Sequence, residues 1–227
     1  MDTSKNIVIT GASRGIGLAL VKWFSANHHK VWALSRNTKP ITQLNLPNVT
    51  VNALDLTDQD AVVSWSQNEA PDTIDALINN AGKLVNKPFA ETTQSDFEGV
   101  FKVNVFGLAN VTRALLKKLQ PIGHVVNISS MGGICGTSKF PGLAAYSSSK
   151  GAVSILTELL AEELKETGPS VNALALGAVQ TEMLSDAFPG LEVPMTAAMM
   201  ADYIAQFALD GHLFCNGKVL PVSNTTP

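Results

Sequence analysis

The sequence predicts an α/β fold of the doubly wound kind, and three observations predict it. Short apolar runs of strand length alternate with longer segments of helical periodicity, the pattern of a parallel sheet covered by helices. A glycine-rich turn, Gly11-Ala-Ser-Arg14-Gly15-Ile16-Gly17, separates the first apolar run from the first helical segment. The chain has 227 residues, 45% hydrophobic and 15% charged, enough for one core. Without repeats or a linker-like shift in composition, a single domain over 1–227 is expected.

Lys5 to Thr10 reads as a short buried strand, and Leu18, Leu20, Val21 and Phe24 follow the glycine turn at helical spacing. Gly11, Gly15 and Gly17 let the backbone turn tightly and approach a ligand. Together with Ser13 and Ile16 they open a helix whose free N–H groups and positive dipole end suit a pyrophosphate. Val31 to Leu34 is a second strand, ending at Ser35-Arg36. In a doubly wound sheet that point lies beside an adenosine ribose. No acid stands there to hold both ribose hydroxyls; Arg36 does, with Arg14 in the glycine turn. Two guanidinium groups suit a 2′-phosphate, so NADP(H) is expected over NAD(H).

Val49 to Leu54 is a third strand, followed by Asp55-Leu56 and by Asp58 as a helix cap. Ile74 to Ile78 is a fourth, running into Asn79-Asn80-Ala81-Gly82. A long helix is expected from Ser95 to Leu119, with Asn104 in its apolar face, where a buried amide needs partners. His124 to Ile128 is a fifth strand, ending in Ser129-Ser130 at a position where such folds bind ligands. A helix opens at Tyr146 and runs to about Leu164, and Val171 to Leu176 is a sixth strand. The stretch 182–195, with Phe188-Pro189-Gly190 and Pro194, reads as a loop or lid. Thr196 to Leu209 is the last helix and Lys218 to Val222 the last strand.

Within Tyr146-Ser-Ser-Ser-Lys150 the two ends lie four apart, on one helix face. A neighbouring cation favours the phenolate and lowers the phenol's pKa. Such a tyrosine can protonate a carbonyl oxygen or take a proton from an alcohol. The net charge of −3 gives no basic field for nucleic acid or an anionic membrane. The N-terminus lacks a basic, apolar leader and no apolar run is long enough to span a bilayer, so a cytoplasmic setting is the default expectation. Cys135 and Cys215 read as buried or unreactive thiols, and the four histidines have no metal-binding spacing. Trp23, Trp32 and Trp65 read as core, and Met195, Met199 and Met200 as lid and helix packing.

Taken in order, Thr10-Gly-Ala-Ser-Arg-Gly-Ile-Gly17, Asn79-Asn-Ala-Gly82, Asn104, Ser130 and Tyr146-x-x-x-Lys150 closely resemble the short-chain dehydrogenase/reductase family. The resemblance implies a mostly parallel seven-stranded sheet between two helical layers, and hydride transfer between a nicotinamide and a carbonyl or alcohol carbon. By the same resemblance, Tyr146 is the general acid/base, Lys150 holds the nicotinamide ribose, Ser130 bonds the substrate oxygen, and Asn104 helps hold a water linking Lys150 to solvent. Asp55 and Leu56 meet the adenine, Asn80 and Gly82 line the adenosine side, and Val179 and Thr181 meet the carboxamide. It also implies a homodimer or homotetramer paired through the two long helices. The chain departs from the family pattern in an insertion at Thr137–Phe140, which alters the substrate pocket, and in a short lid, which suggests an open site. A carbonyl reductase is expected first. A 3-oxoacyl-thioester reductase and a non-catalytic NADP(H)-sensing interaction protein are the alternatives.

Overall fold

In the computed structural model, which describes residues 4–223, a seven-stranded parallel sheet runs in the order β3-β2-β1-β4-β5-β6-β7. Residues 1–3, where a targeting segment was sought, and 224–227 lie outside the described residues. The strands are β1 (Asn6–Thr10), β2 (Lys30–Ser35), β3 (Val49–Ala53), β4 (Ile74–Asn79), β5 (Leu119–Ser130), β6 (Ser170–Leu176) and β7 (Val219–Val222). The main helices are α1 (Gly15–Ala26), α3 (Gln59–Asn68), α4 (Gln94–Phe101), α5 (Leu108–Leu115), α6 (Ala144–Glu163) and α8 (Ala197–Asp210). Two short ones, α2 (Lys39–Thr42) and α7 (Glu182–Ala187), complete the set.

Alternation along each strand divides the core in two. Ile7 and Ile9 of β1 face Leu20, Val21 and Phe24 of α1 and Ile204 of α8. Val8, between them, joins the opposite layer with Val62 and Trp65 of α3 and Val111 and Leu115 of α5. Side chains at successive strand positions point to opposite faces, so continuous apolar runs such as Ile7-Val8-Ile9 fit a sheet covered on both sides. Sequence order reverses between β1 and β4, where strands leave the centre in opposite directions and a crevice opens at their carboxyl ends.

Three expectations are corrected. The helix expected over Ser95–Leu119 is broken: a π-helical turn spans Lys102–Gly107, and the helix ends at Leu115. Asn104, only 1% exposed, sits in that turn with its amide bonded to residues outside its own helix. Inserted turns of this kind mark places where side chains serve other partners. Trp65 is core, but Trp23 and Trp32 are only partly buried. Cys135 is exposed rather than buried, and Cys215 is half-buried.

A buried polar chain ties the helical layer to the sheet. Asn79 Nδ2 donates to Thr112 Oγ1 of α5 at 3.0 Å and to Asn127 Oδ1 of β5 at 2.9 Å. Asn127 Nδ2 in turn donates to Thr157 Oγ1 of α6 at 2.9 Å. Asn127 is fully buried, so its removal strands two partners out of reach of water. Asn127→Ala should therefore cost about 1–3 kcal/mol. Urea denaturation checks this through a lower midpoint at unchanged slope; an unchanged midpoint would contradict it.

Candidate active site

The carboxyl edge of the sheet carries a cleft of about 550 Å³. Its first half is built around the glycine turn. Gly11 and Gly15 have φ of +66° and +52°, in the left-handed region that only glycine adopts freely. A Cβ on Gly17 would overlap the Gly11 carbonyl and the Asn80 amide, so α1 can close on the turn only without one. The first turn of α1 has no acidic residue and its N-cap, Arg14, makes no side-chain cap bond. Its N–H groups therefore face the cleft available to an anion, beside Ser13, Gly15 and Ile16.

Arg14, Ser35, Arg36, Asp55 and Leu56 line the same half, as do Asn80, Gly82, Val179 and Thr181. Among the described residues Arg36 enters no ion pair, whereas Arg14 pairs with Asp186 at 3.4 Å. Asp55 accepts from the N–H and hydroxyl of Thr57, which hold its carboxyl below the usual range; Arg36 adds to the shift. The Asn80 amide is already spent, donating to the carbonyls of Thr10 and Gly11 at 3.1 Å each. Asn80 thus presents a wall to the cleft while its side chain braces the turn.

In the second half, α6 brings Tyr146 and Lys150 to the end of β5. Tyr146 and Ser130 line the cleft together, and the Ser130 hydroxyl acts to lower the phenol's pKa. Lys150 Nζ lies 5.7 Å from the Tyr146 ring centroid and donates to the Ile128 carbonyl at 2.7 Å. The two serines of β5 divide their work. Ser129 is 2% exposed and bonds Lys150 O and Ser154 Oγ at 3.0 and 3.1 Å, so it fastens the helix. Asn104 and Gly17 are the two predicted site residues that do not line the cleft. Asn104 binds both the N–H and the carbonyl of Lys83, at 2.7 and 3.0 Å, and donates to Ser149 Oγ at 2.8 Å.

This arrangement can be set beside known proteins. The short chain dehydrogenase family profile matches residues 5–192. The chain belongs to the short-chain dehydrogenase family. Among its relatives is a carbonyl reductase of Sus scrofa named for NADPH, 35% identical over 78% of this chain and 72% of that protein. The 3-oxoacyl-acyl-carrier-protein reductase FabG of Chlamydia trachomatis is 26% identical over 96% of both chains. A solved structure, ElxO with NADP bound, superimposes with a TM-score of 0.83 at 29% identity and covers 97% of each chain.

The sequence reading of this short-chain dehydrogenase missed most of the cleft's apolar wall: Leu84, Met131, Leu143, Leu184, Leu191 and Val193. No motif marks such residues; only the fold gathers them. The lid has structure of its own, with Phe140 beside it and Leu191 within it still 47% and 44% exposed. Its first six residues form α7, Asn86 Nδ2 donates to Ala187 O at 2.7 Å, and Phe188 meets Phe140 across the mouth.

The expected electrostatics are also corrected. Burial pushes the Tyr146 phenol up to about 12, with the Ser130 hydroxyl acting the other way. Burial pushes Lys150 down to about 8. An unfolded lysine keeps its proton to about pH 10.4. From about pH 8 to that value the unfolded chain binds more protons, so stability rises with pH; below it, the buried charge costs its full penalty. Tyr146 works oppositely, lowering stability as pH rises from 10 toward 12. In protein without added nucleotide, Lys150→Met should thus gain on the order of 1–3 kcal/mol at pH 7. The gain should fade by about pH 10.5, and urea denaturation at the two pH values measures it. A gain independent of pH would trace to packing and contradict the charge penalty.

Proposed function

We propose that this protein is an NADPH-dependent carbonyl reductase. The observation that carries the reading is a phenol, Tyr146, that shares the cleft lining with the Ser130 hydroxyl and has the Lys150 ammonium 5.7 Å from its ring centroid. When bound in the cleft, NADPH would supply the hydride for the carbonyl carbon. Ser130 and Tyr146 direct their hydroxyls at the carbonyl oxygen, and both bonds strengthen as charge develops there. Tyr146 then passes its proton to that oxygen. The nearby Lys150 ammonium favours the tyrosinate left behind. Asn104 holds the Lys83 turn and, through Ser149, the first turns of α6.

The residues present suit the cofactor. Gly11, Ser13, Gly15 and Ile16 would hold its pyrophosphate, and Arg14, Ser35 and Arg36 its 2′-phosphate. Asp55 and Leu56 would meet the adenine, Val179 and Thr181 the carboxamide, and Tyr146 and Lys150 the ribose. Support comes from the Sus scrofa reductase, named for NADPH, and from a second ElxO structure, a tyrosine-to-phenylalanine variant with NADPH bound. The 3-oxoacyl-thioester alternative has less support: of Lys117 and Lys118, the adjacent cations just after α5 that could meet an acidic carrier, Lys118 bonds the Ala70 carbonyl at 3.1 Å.

Tyr146→Phe should lower kcat for an accepted ketone about 10²–10⁴-fold while NADPH still binds, as read by fluorescence titration. Full turnover in the variant would refute the assignment. Arg36→Ala should raise the Kd for NADPH about tenfold or more while NADH shifts about twofold at most. Equal losses for both would reject the arginine as the 2′-phosphate partner.

A further inference from the structure

The two halves of the cleft differ in charge. Arg14, Arg36, Asp55, Lys150 and Glu182 are the charged residues that line it. Glu182 lies against the glycine turn, its Oε2 3.4 Å from where a Gly15 Cβ would stand. The two arginines and Asp55 border the nucleotide half, and Lys150 lies beneath Tyr146 on the Ile128 carbonyl. Beyond Tyr146 the walls carry no charge. Met131, Phe140 and Leu143 form one side, and Leu184, Phe188 and Leu191 of the lid form the other.

The cations near this chamber are turned away from it. Lys139, on the inserted loop, donates to the Ile134 carbonyl and to the carbonyl and hydroxyl of Thr137, at 2.6 to 3.0 Å. Lys87 pairs with Asp96 at 2.9 Å, and Lys83 reaches back over Gly99 of α4. The chamber's shape is held by local bonds. Thr137 Oγ1 donates to Met131 O and Ile134 O, at 2.6 and 2.9 Å, which knots the insertion. Lys87 N donates to Gly142 O and Asn86 Nδ2 to Ala187 O, so one loop braces both walls. Phe140 and Phe188 then meet edge to face, with centroids 6.5 Å apart.

We infer that this chamber selects uncharged ketones with apolar or aromatic flanks, and that Phe140 and Phe188 set that selectivity. The inference rests on the carbonyl-reductase reading. A carboxylate placed against these walls would give up part of its water and find no cation, which costs more than a mismatch of size. A hydrophobic flank would replace solvent against the cleft-facing sides of the two rings, at no polar loss. The insertion and the short lid therefore act together as a filter for apolar substrates.

Acetophenone and 4-acetylbenzoate share a reacting carbonyl and differ by one charge. Wild-type protein with NADPH should favour acetophenone in kcat/KM by roughly 100-fold or more. Phe188→Arg should narrow that ratio about tenfold by giving the carboxylate a partner. Phe188→Ala and, on the opposite wall, Phe140→Ala should each cost acetophenone about tenfold and gain nothing for the acid. Calorimetric titration of both ketones onto the protein with NADP⁺ gives a readout without turnover, in which only acetophenone should bind. Equal reduction of the two ketones, or a ratio unmoved by Phe188→Arg, overturns the chamber while leaving the reductase reading in place. Selective binding without reduction of either does the reverse. Absence of binding by both overturns the chamber.

Discussion

The constraint on which this structure depends is the burial of a phenol and an ammonium side by side at the carboxyl edge of the sheet. Neither group is comfortable there. Burial drives the phenol's pKa up and the ammonium's down, so each is held toward its neutral form. The surrounding bonds fix the helix that carries them. Ser129 holds the Lys150 carbonyl, the Ile128 carbonyl receives its ammonium, and Asn127 grips Thr157 two turns further along α6. Buried side-chain bonds of this sort rigidify their surroundings, although the Asn79 Oδ1 is left without a partner. On the proposed reading, stability is given up for chemistry at Lys150, and the polar chain through Asn79 and Asn127 helps offset it.

Around that pair, the sheet topology sorts the cleft into two environments. The reversal of strand order between β1 and β4 opens the crevice, and the glycine turn supplies unfilled backbone donors on one side. On the other side the insertion and the lid bring apolar side chains over the reacting position. Arg14 links the two, since its partner Asp186 sits on the lid helix. Both partners of that pair are exposed, so its contribution to stability is small. Its interest lies in joining the nucleotide side of the cleft to the substrate side.

Much of this was legible in the sequence, because the signals are local. All seven strands were read from apolar runs close to where they stand, and the glycine turn and the Tyr146–Lys150 spacing each lie within a few residues. What was not legible depends on distant partners. The helix over Ser95–Leu119 looks unbroken by periodicity, yet the Asn104 amide bonds Lys83 and Ser149, far away in the chain, and the π-helical turn lies where it does so. Proximity of Lys150 suggested a lowered phenol pKa, but desolvation in the folded site pushes it the other way. Phe188 stands in a stretch that reads as a turn and finds its purpose only opposite Phe140.

The central claim is that Tyr146 stays protonated through the neutral range and so stands ready to give its proton away. The chain contains two tyrosines, so Tyr203→Phe leaves Tyr146 as the single phenol. Ultraviolet difference titration of that variant, without added nucleotide and with circular dichroism to verify that it stays folded, reports the ionisation directly. The account predicts no tyrosinate signal up to about pH 10.5, above the ordinary phenol midpoint. A midpoint at or below pH 9 in the folded protein would contradict it.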